Sequence, residues 1–183
     1  MSSDHDLADA LRAAQDGDAA GFAILWRTLQ PAVLRYLRVL IGDHAEDAAS
    51  ETWLHVIRDL HRFQGGPADF RGWLFRIARH RGIDQRRRRA ATPTADPGGG
   101  TAPDAATQAI EDNATTWAVG LVGTLPPDQA EAVMLRIVAG LDVAATAHIL
   151  GKRPGAVRIA TMRGLRRLAA NPQITGLLAR EEV

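Results

Sequence analysis

The tract from Ala90 to Asp112, AATPTADPGGGTAPDAATQAIED, constrains the architecture more than any other part of the chain. It holds three prolines, three consecutive glycines and four acids, with no large apolar residue before Ile110. Such a segment cannot bury enough apolar surface to offset the entropy of ordering it, so it reads as a flexible linker. The 183-residue chain is thereby cut into two pieces that must each build their own core. Residues 1–89 are expected to form one domain and residues 113–183 a second, with 90–112 between them.

Both pieces carry helical periodicity nearly throughout, which predicts an all-α fold of two small helical domains. An opening helix over 4–15 precedes Asp18, a good N-cap for a helix with Phe22, Leu25, Trp26 and Leu29 at spacings of three and four. Pro31 should kink or restart that helix before it ends at Gly42. Asp43 is a plausible cap for the next helix, whose first turn is acidic and whose buried stripe is Ala49, Trp53, Val56, Ile57 and Leu60. After the loop QGGPAD, Phe70, Trp73, Leu74 and Ile77 mark the apolar face of a further helix. In the second piece, two prolines and Gly140 bracket LPPDQAEAVMLRIVAG, DVAATAHIL stops at Gly151, and Pro154 opens RPGAVRIATMRGLRRLAA. A short helix, a glycine turn and a basic helix form a helix-turn-helix pattern.

Charge distribution is more telling than net charge, which is only +1. Of 22 Lys and Arg, eight fall in 71–89 and six in 152–167, and none lies between Arg89 and Arg136. Two cationic blocks on helical patterns, separated by an acidic span, suggest two places that meet a polyanion. Between Lys152 and Ala170 there is no acid at all.

Catalytic and metal-binding patterns do not occur. The six histidines are scattered, with no pair at i, i+4 spacing, and the chain has no Walker, GxSxG or GxGxxG motif. Neither a cofactor nor an enzymatic role is expected. The chain has no cysteine, hence no disulfide framework or zinc–thiolate site. Its acidic start does not resemble a secretory signal, and no apolar run approaches the roughly 18 residues of a membrane span. A cytoplasmic protein without membrane association is the expectation.

The order of segments resembles a known family. An acidic helix AEDAASETWLHVIRDLHRF, then FRGWLFRIARHRGIDQRRRR, a linker, and LPPDQAEAVMLRIVAGLDVAATAHILGKRPGAVRIATMRGLRRL are together similar to the extracytoplasmic-function (ECF) sigma factors of bacterial RNA polymerase. The resemblance implies a first domain like sigma region 2 and a second like region 4. It implies as partners core RNA polymerase, through the clamp helices of the largest subunit and the flap region of the second-largest, and promoter DNA. Many members of the group also bind an anti-sigma factor. By the same resemblance Asp47 and Glu51 dock on the polymerase. Gln64, Arg71, Trp73, Arg76, Arg79, His80, Arg86, Arg87 and Arg88 serve the −10 element, Trp73 being expected to contribute mainly to the core. Arg153, Arg158, Ile159, Met162, Arg163 and Arg166 serve the −35 element, while Val157, Leu165 and Leu168 should be core. Two departures stand out: Ala160, Thr161 and Met162 occupy positions where a longer polar side chain is expected, and His80 stands where asparagine often follows IAR. A stand-alone dimeric helix-turn-helix regulator is the alternative, but it leaves the first domain's acidic and arginine-rich helices without a purpose.

The linker adds a geometric expectation. As a relaxed coil its 23 residues span about 26 Å, whereas promoter elements two helical turns apart lie on the order of 70 Å from each other. The tract would have to run extended, near its limit of roughly 80 Å, disordered in the free protein and ordered in the polymerase complex.

Overall fold

The computed structural model describes residues 2–91 and 108–174, all helix or connecting turn, with no strand among them. Backbone contacts divide the chain into two units, with the break between Pro93 and Thr94. Most of the tract expected to be a linker lies outside the described residues, although helix continues to Ala91 and resumes at Gln108.

The first unit comprises α1 (Ser2–Gln15), α2 (Ala19–Ile41), α3 (Ala45–Asp59) and α4 (Pro67–Ala91). Asp18 caps α2 as expected, its carboxylate accepting from the Ala20 and Gly21 amides. The helix does not restart at Pro31: α2 runs through it as one element. The proline removes one backbone donor, but Leu25, Leu29, Val33, Tyr36 and Leu37 keep one buried stripe on both sides of it, so packing holds the helical course. Asp43 also differs: it lies in a 3-10 turn, Gly42–His44, and α3 starts without a side-chain cap. Thr52, fully buried on α3, satisfies its hydroxyl by donating to the Ala48 carbonyl at 2.7 Å.

Aromatic side chains join the helices. Tyr36 meets Phe75 edge-on at 5.7 Å, and Phe22 meets Trp53 in the same way, also at 5.7 Å. The Trp53 indole donates to Gln30 Oε1 at 2.6 Å, so the buried ring keeps its polar edge satisfied. Phe63, in the turn before α4, packs on both Phe70 and Trp73. Gln15 at the end of α1 donates to the Phe63 carbonyl at 2.7 Å, fixing the same turn from the other side.

The second unit comprises α5 (Gln108–Gly123), α6 (Pro127–Val133), a π-turn (Met134–Val138), α7 (Val143–Leu150) and α8 (Pro154–Ala169). One helix was expected from the prolines to Gly140. The π-turn instead inserts an extra residue, with the Ala139 amide donating to the Met134 carbonyl at 2.9 Å. Met134, Leu135 and Ala139 are thereby buried while Ile137 turns outward. Gly151 ends α7 in the left-handed conformation, φ 63°, as the glycine turn anticipates. Lys152, next to it, pairs with Asp128 at 2.5 Å and ties the turn to the start of α6.

Helix α8 lies very close to α6 because position 164 has no side chain. A Cβ built on Gly164 would stand 2.7 Å from Val133 Cγ2 and 3.4 Å from the Gln129 backbone oxygen. Gly164→Ala is therefore expected to cost about 1–3 kcal/mol through overpacking, read as a lower urea midpoint with an unchanged m-value. A midpoint equal to that of the native chain would show that the two helices separate freely.

Candidate nucleic-acid interface

Helix α4 is amphipathic in an unequal way. Phe70, Leu74, Phe75, Ile77 and Ala78 are buried, and Gly82 lets the helix sit against Leu37 and Leu40 of α2. The arginines are thus left to the remaining circumference, where their aliphatic stems can cover apolar surface while the charges stay in water. Along that circumference runs a cleft of about 620 Å³ lined by Trp73, Arg76, Arg79, His80 and Arg87, with His55 of α3 in its wall.

Five of the nine residues expected to serve the −10 element therefore converge. The other four do not line this cleft. Gln64 is exposed in the turn before α4. Arg71 borders a smaller cavity of about 400 Å³ with His5 and Pro67, beside α1. Arg86 and Arg88 are exposed near the end of α4, and Arg88 pairs with Glu51 of α3 at 3.3 Å. Trp73 is half-buried, with its ring stacked on Phe63 at 5.2 Å and the cleft beside it.

Sequence reasoning missed His55 and Arg81. Arg81 Nη2 lies 2.9 Å from His55 Nδ1, and His55 Nε2 lies 3.2 Å from Asp59 Oδ2. Guanidinium has only donors, so Nδ1 accepts and Nε2–H donates to Asp59, which fixes a neutral imidazole. Burial lowers the His55 pKa from its ordinary value, and the Arg58 and Arg81 charges lower it further against the opposing pull of Asp59. Asp59 itself is held below its ordinary value, chiefly by its hydrogen bond from Arg58. Because the unfolded chain binds the proton on His55 more tightly, this residue's contribution to stability is present above about pH 6.5 and is lost as pH falls below it. His55→Gln should flatten the pH dependence of unfolding as pH falls below about 6.5; a variant with the slope of the native chain would contradict the assignment.

The exposed face of α3 carries Asp47 and Glu51 one turn apart, and Leu54, 66% exposed, follows them on the same stripe. Ile57 was expected in the core and is instead 55% exposed. The apolar period of α3 runs through Ala45, Ala48, Ala49, Thr52, Trp53 and Val56, and leaves Ile57 on the flank. An acidic face with protruding apolar groups and a separate basic cleft thus occupy one small domain.

In the second unit, Arg153, Arg158, Ile159, Met162, Arg163 and Arg166 are all exposed on α8 or at its N-cap. Val157 is buried as expected, Leu168 is half-buried, and Leu165 is 42% exposed rather than core. The close approach at Gly164 explains the difference: with α8 pressed on α6 at that point, the adjacent residue is carried to the side of the helix.

A helix-turn-helix with an exposed basic second helix, and a helical domain pairing a basic cleft with an acidic face, define a two-module transcription factor that handles DNA and a protein partner together. Residues 25–92 match the family model for Sigma-70 region 2, and residues 118–168 match that for Sigma-70 region 4. The ECF RNA polymerase sigma factor ShbA of Streptomyces griseus is 34% identical over 86% of this chain and 90% of its own. SigD of Mycobacterium bovis, another ECF sigma factor, is 34% identical over 83% of this chain and 77% of its own. The chain belongs to the ECF sigma factors of RNA polymerase, and its function is that of a transcription initiation factor. Solved structures agree in fold. CnrH, in complex with the cytosolic domain of CnrY, has a TM-score of 0.62 at 23% identity over 90% of this chain and 96% of that one. RpoE of Bartonella quintana, in complex with the anti-sigma factor NepR, has a TM-score of 0.60 at 22% identity over 81% and 94%. The stand-alone regulator alternative gains no support, since the first unit is itself a sigma region 2. Among the described residues no helix is long and apolar enough to cross a membrane.

Proposed function

We propose that the α3–α4 domain opens and holds the promoter −10 element while α8 docks on the −35 element, with the acidic face of α3 seated on the polymerase clamp. The observation that carries this reading is the convergence of Trp73, Arg76, Arg79, His80 and Arg87 on one cleft. Cations along such a groove neutralise phosphates, and an aromatic at its edge gives an unstacked base a surface on which to stack, worth about 1–3 kcal/mol. That gain offsets the few kcal/mol needed to extrude a base from the duplex. Gln64 lies at the mouth of the turn that Gln15 and Phe63 hold in place, where it would border an extruded base.

Asp47 and Glu51 supply charge toward a basic partner, and Leu54 supplies apolar area between the acidic residues and Arg58. An interaction of the second domain with the polymerase flap completes the engagement. The protein acts without chemistry of its own, in the cytoplasm. An anti-sigma factor is a further partner, supported by the two structural neighbours solved with CnrY and NepR.

Neutralising Arg86, Arg87 and Arg88 together tests the upstream part of the DNA surface. All three are exposed, so the fold should persist. The slope of log K against log salt for open-complex formation should flatten by about one for each phosphate no longer neutralised. An unchanged slope would show that these arginines neutralise no phosphate.

A further inference from the structure

Over residues 155–162 the outward side of α8 presents carbon where a basic helix would be expected to present polar atoms. The inward side of the helix is marked by Val157, fully buried, and by Gly164 against α6. A helical turn places Gly155, Ile159 and Met162 on the opposite side, with Ile159 48% and Met162 43% exposed. Arg158, Arg163 and Arg166 surround them, and α8 contains no acid. The surrounding charge selects a polyanion as the occupant of this face, which rests on the reading of α8 as the −35 helix. Within a helix-turn-helix, the N-terminal residues of the second helix are those that reach base edges.

We infer that Ile159 and Met162 read thymine 5-methyl groups on adjacent base pairs of the −35 element. The major-groove edges of guanine, cytosine and adenine present hydrogen-bonding atoms to an approaching side chain, and thymine adds a methyl group. Pressing an aliphatic side chain on a donor or acceptor strips its water without replacing the hydrogen bond, which is unfavourable. The methyl is the one apolar feature against which such a side chain gains. Residues three apart on a helix are separated by about 4.5 Å along its axis, close to the ~3.4 Å step between stacked bases, so the two side chains address neighbouring pairs.

The test uses the full chain bound to core RNA polymerase. Duplexes are selected from a pool randomised in the upstream element, and in the best one each thymine is replaced singly by deoxyuridine, which removes only the methyl. Two adjacent pairs should each show about fourfold weaker binding with deoxyuridine, the value of one buried methyl. Ile159→Ala should abolish the effect at one pair and Met162→Ala at the other, with circular-dichroism melts unchanged because both side chains are exposed. Specific binding by the native chain that is indifferent to every deoxyuridine would overturn the inference and leave the −35 reading intact. Selection of no upstream element at all would overturn the −35 reading, and the inference with it.

Discussion

Phe70→Ala should remove about 3–5 kcal/mol from the first domain, the cost of truncating a fully buried aromatic and leaving a cavity. Its ring lies 5.6 Å from Phe63 and 5.8 Å from Trp73, so one truncation unsupports both the turn before α4 and the tryptophan at the cleft. With typical domain stabilities of about 5–15 kcal/mol, much of the margin disappears. Urea denaturation followed by tryptophan fluorescence should show the midpoint falling steeply, and open-complex formation should fall with it at temperatures where the domain still folds. A loss below about 1 kcal/mol would mean that the aromatic cluster is not a packed unit. Phe70→Leu, which keeps most of the apolar volume, should recover the larger part of the stability.

Reversing the acidic face of α3 should have the largest functional effect. Asp47→Arg with Glu51→Arg places two cations where a basic partner docks, and like charges across an interface cost several kcal/mol. Affinity for core polymerase should drop by a hundredfold or more, since each 1.4 kcal/mol is about tenfold. Both residues lie on the exposed side of α3, Glu51 half-buried against Arg88, so helicity should be retained. Asp16→Arg, exposed at the end of α1, serves as the control and should bind core polymerase normally. Equal affinity of the double variant and the control would remove α3 from the docking surface.

The physical signals that were legible in the chain were local and redundant. Asp18, Gly42, Gly151 and Pro154 stand at helix ends because each answers a backbone requirement that belongs to its own position: a free amide to cap, a positive φ to adopt, or a first-turn site whose N–H has no partner within the helix. The two basic blocks were legible for a similar reason: charge clustering survives in one dimension. Outcomes that depend on a neighbouring helix were not. Ile57 and Leu165 lie at the edges of the apolar stripes of their own helices, and which edge of a stripe is covered depends on how a neighbouring helix packs across it. Pro31 lowers local helix preference, but the buried stripe of α2 extends past it and decides the matter. The π-turn at Met134–Val138 leaves no mark in composition.

The cleft was legible only in part. Its arginines and Trp73 follow from one helical face, whereas His55 arrives from α3 and is connected to Arg81 across 26 positions of sequence. A histidine amid charged residues carries no such information until both helices are in place. Arg71 shows the reverse: adjacent in sequence to the cleft residues, it is turned toward α1 and His5.

Reconstituted transcription tests the central claim most directly. Purified chain is added to core RNA polymerase, complex formation is measured, and the holoenzyme is offered a library of promoter fragments. The expected result is a stable complex that initiates from a restricted set of fragments sharing two elements at fixed spacing, with initiation abolished when the Asp47→Arg, Glu51→Arg double variant replaces the native chain. Failure of the native chain to bind core polymerase, or initiation no more selective than that of core polymerase alone, would contradict it.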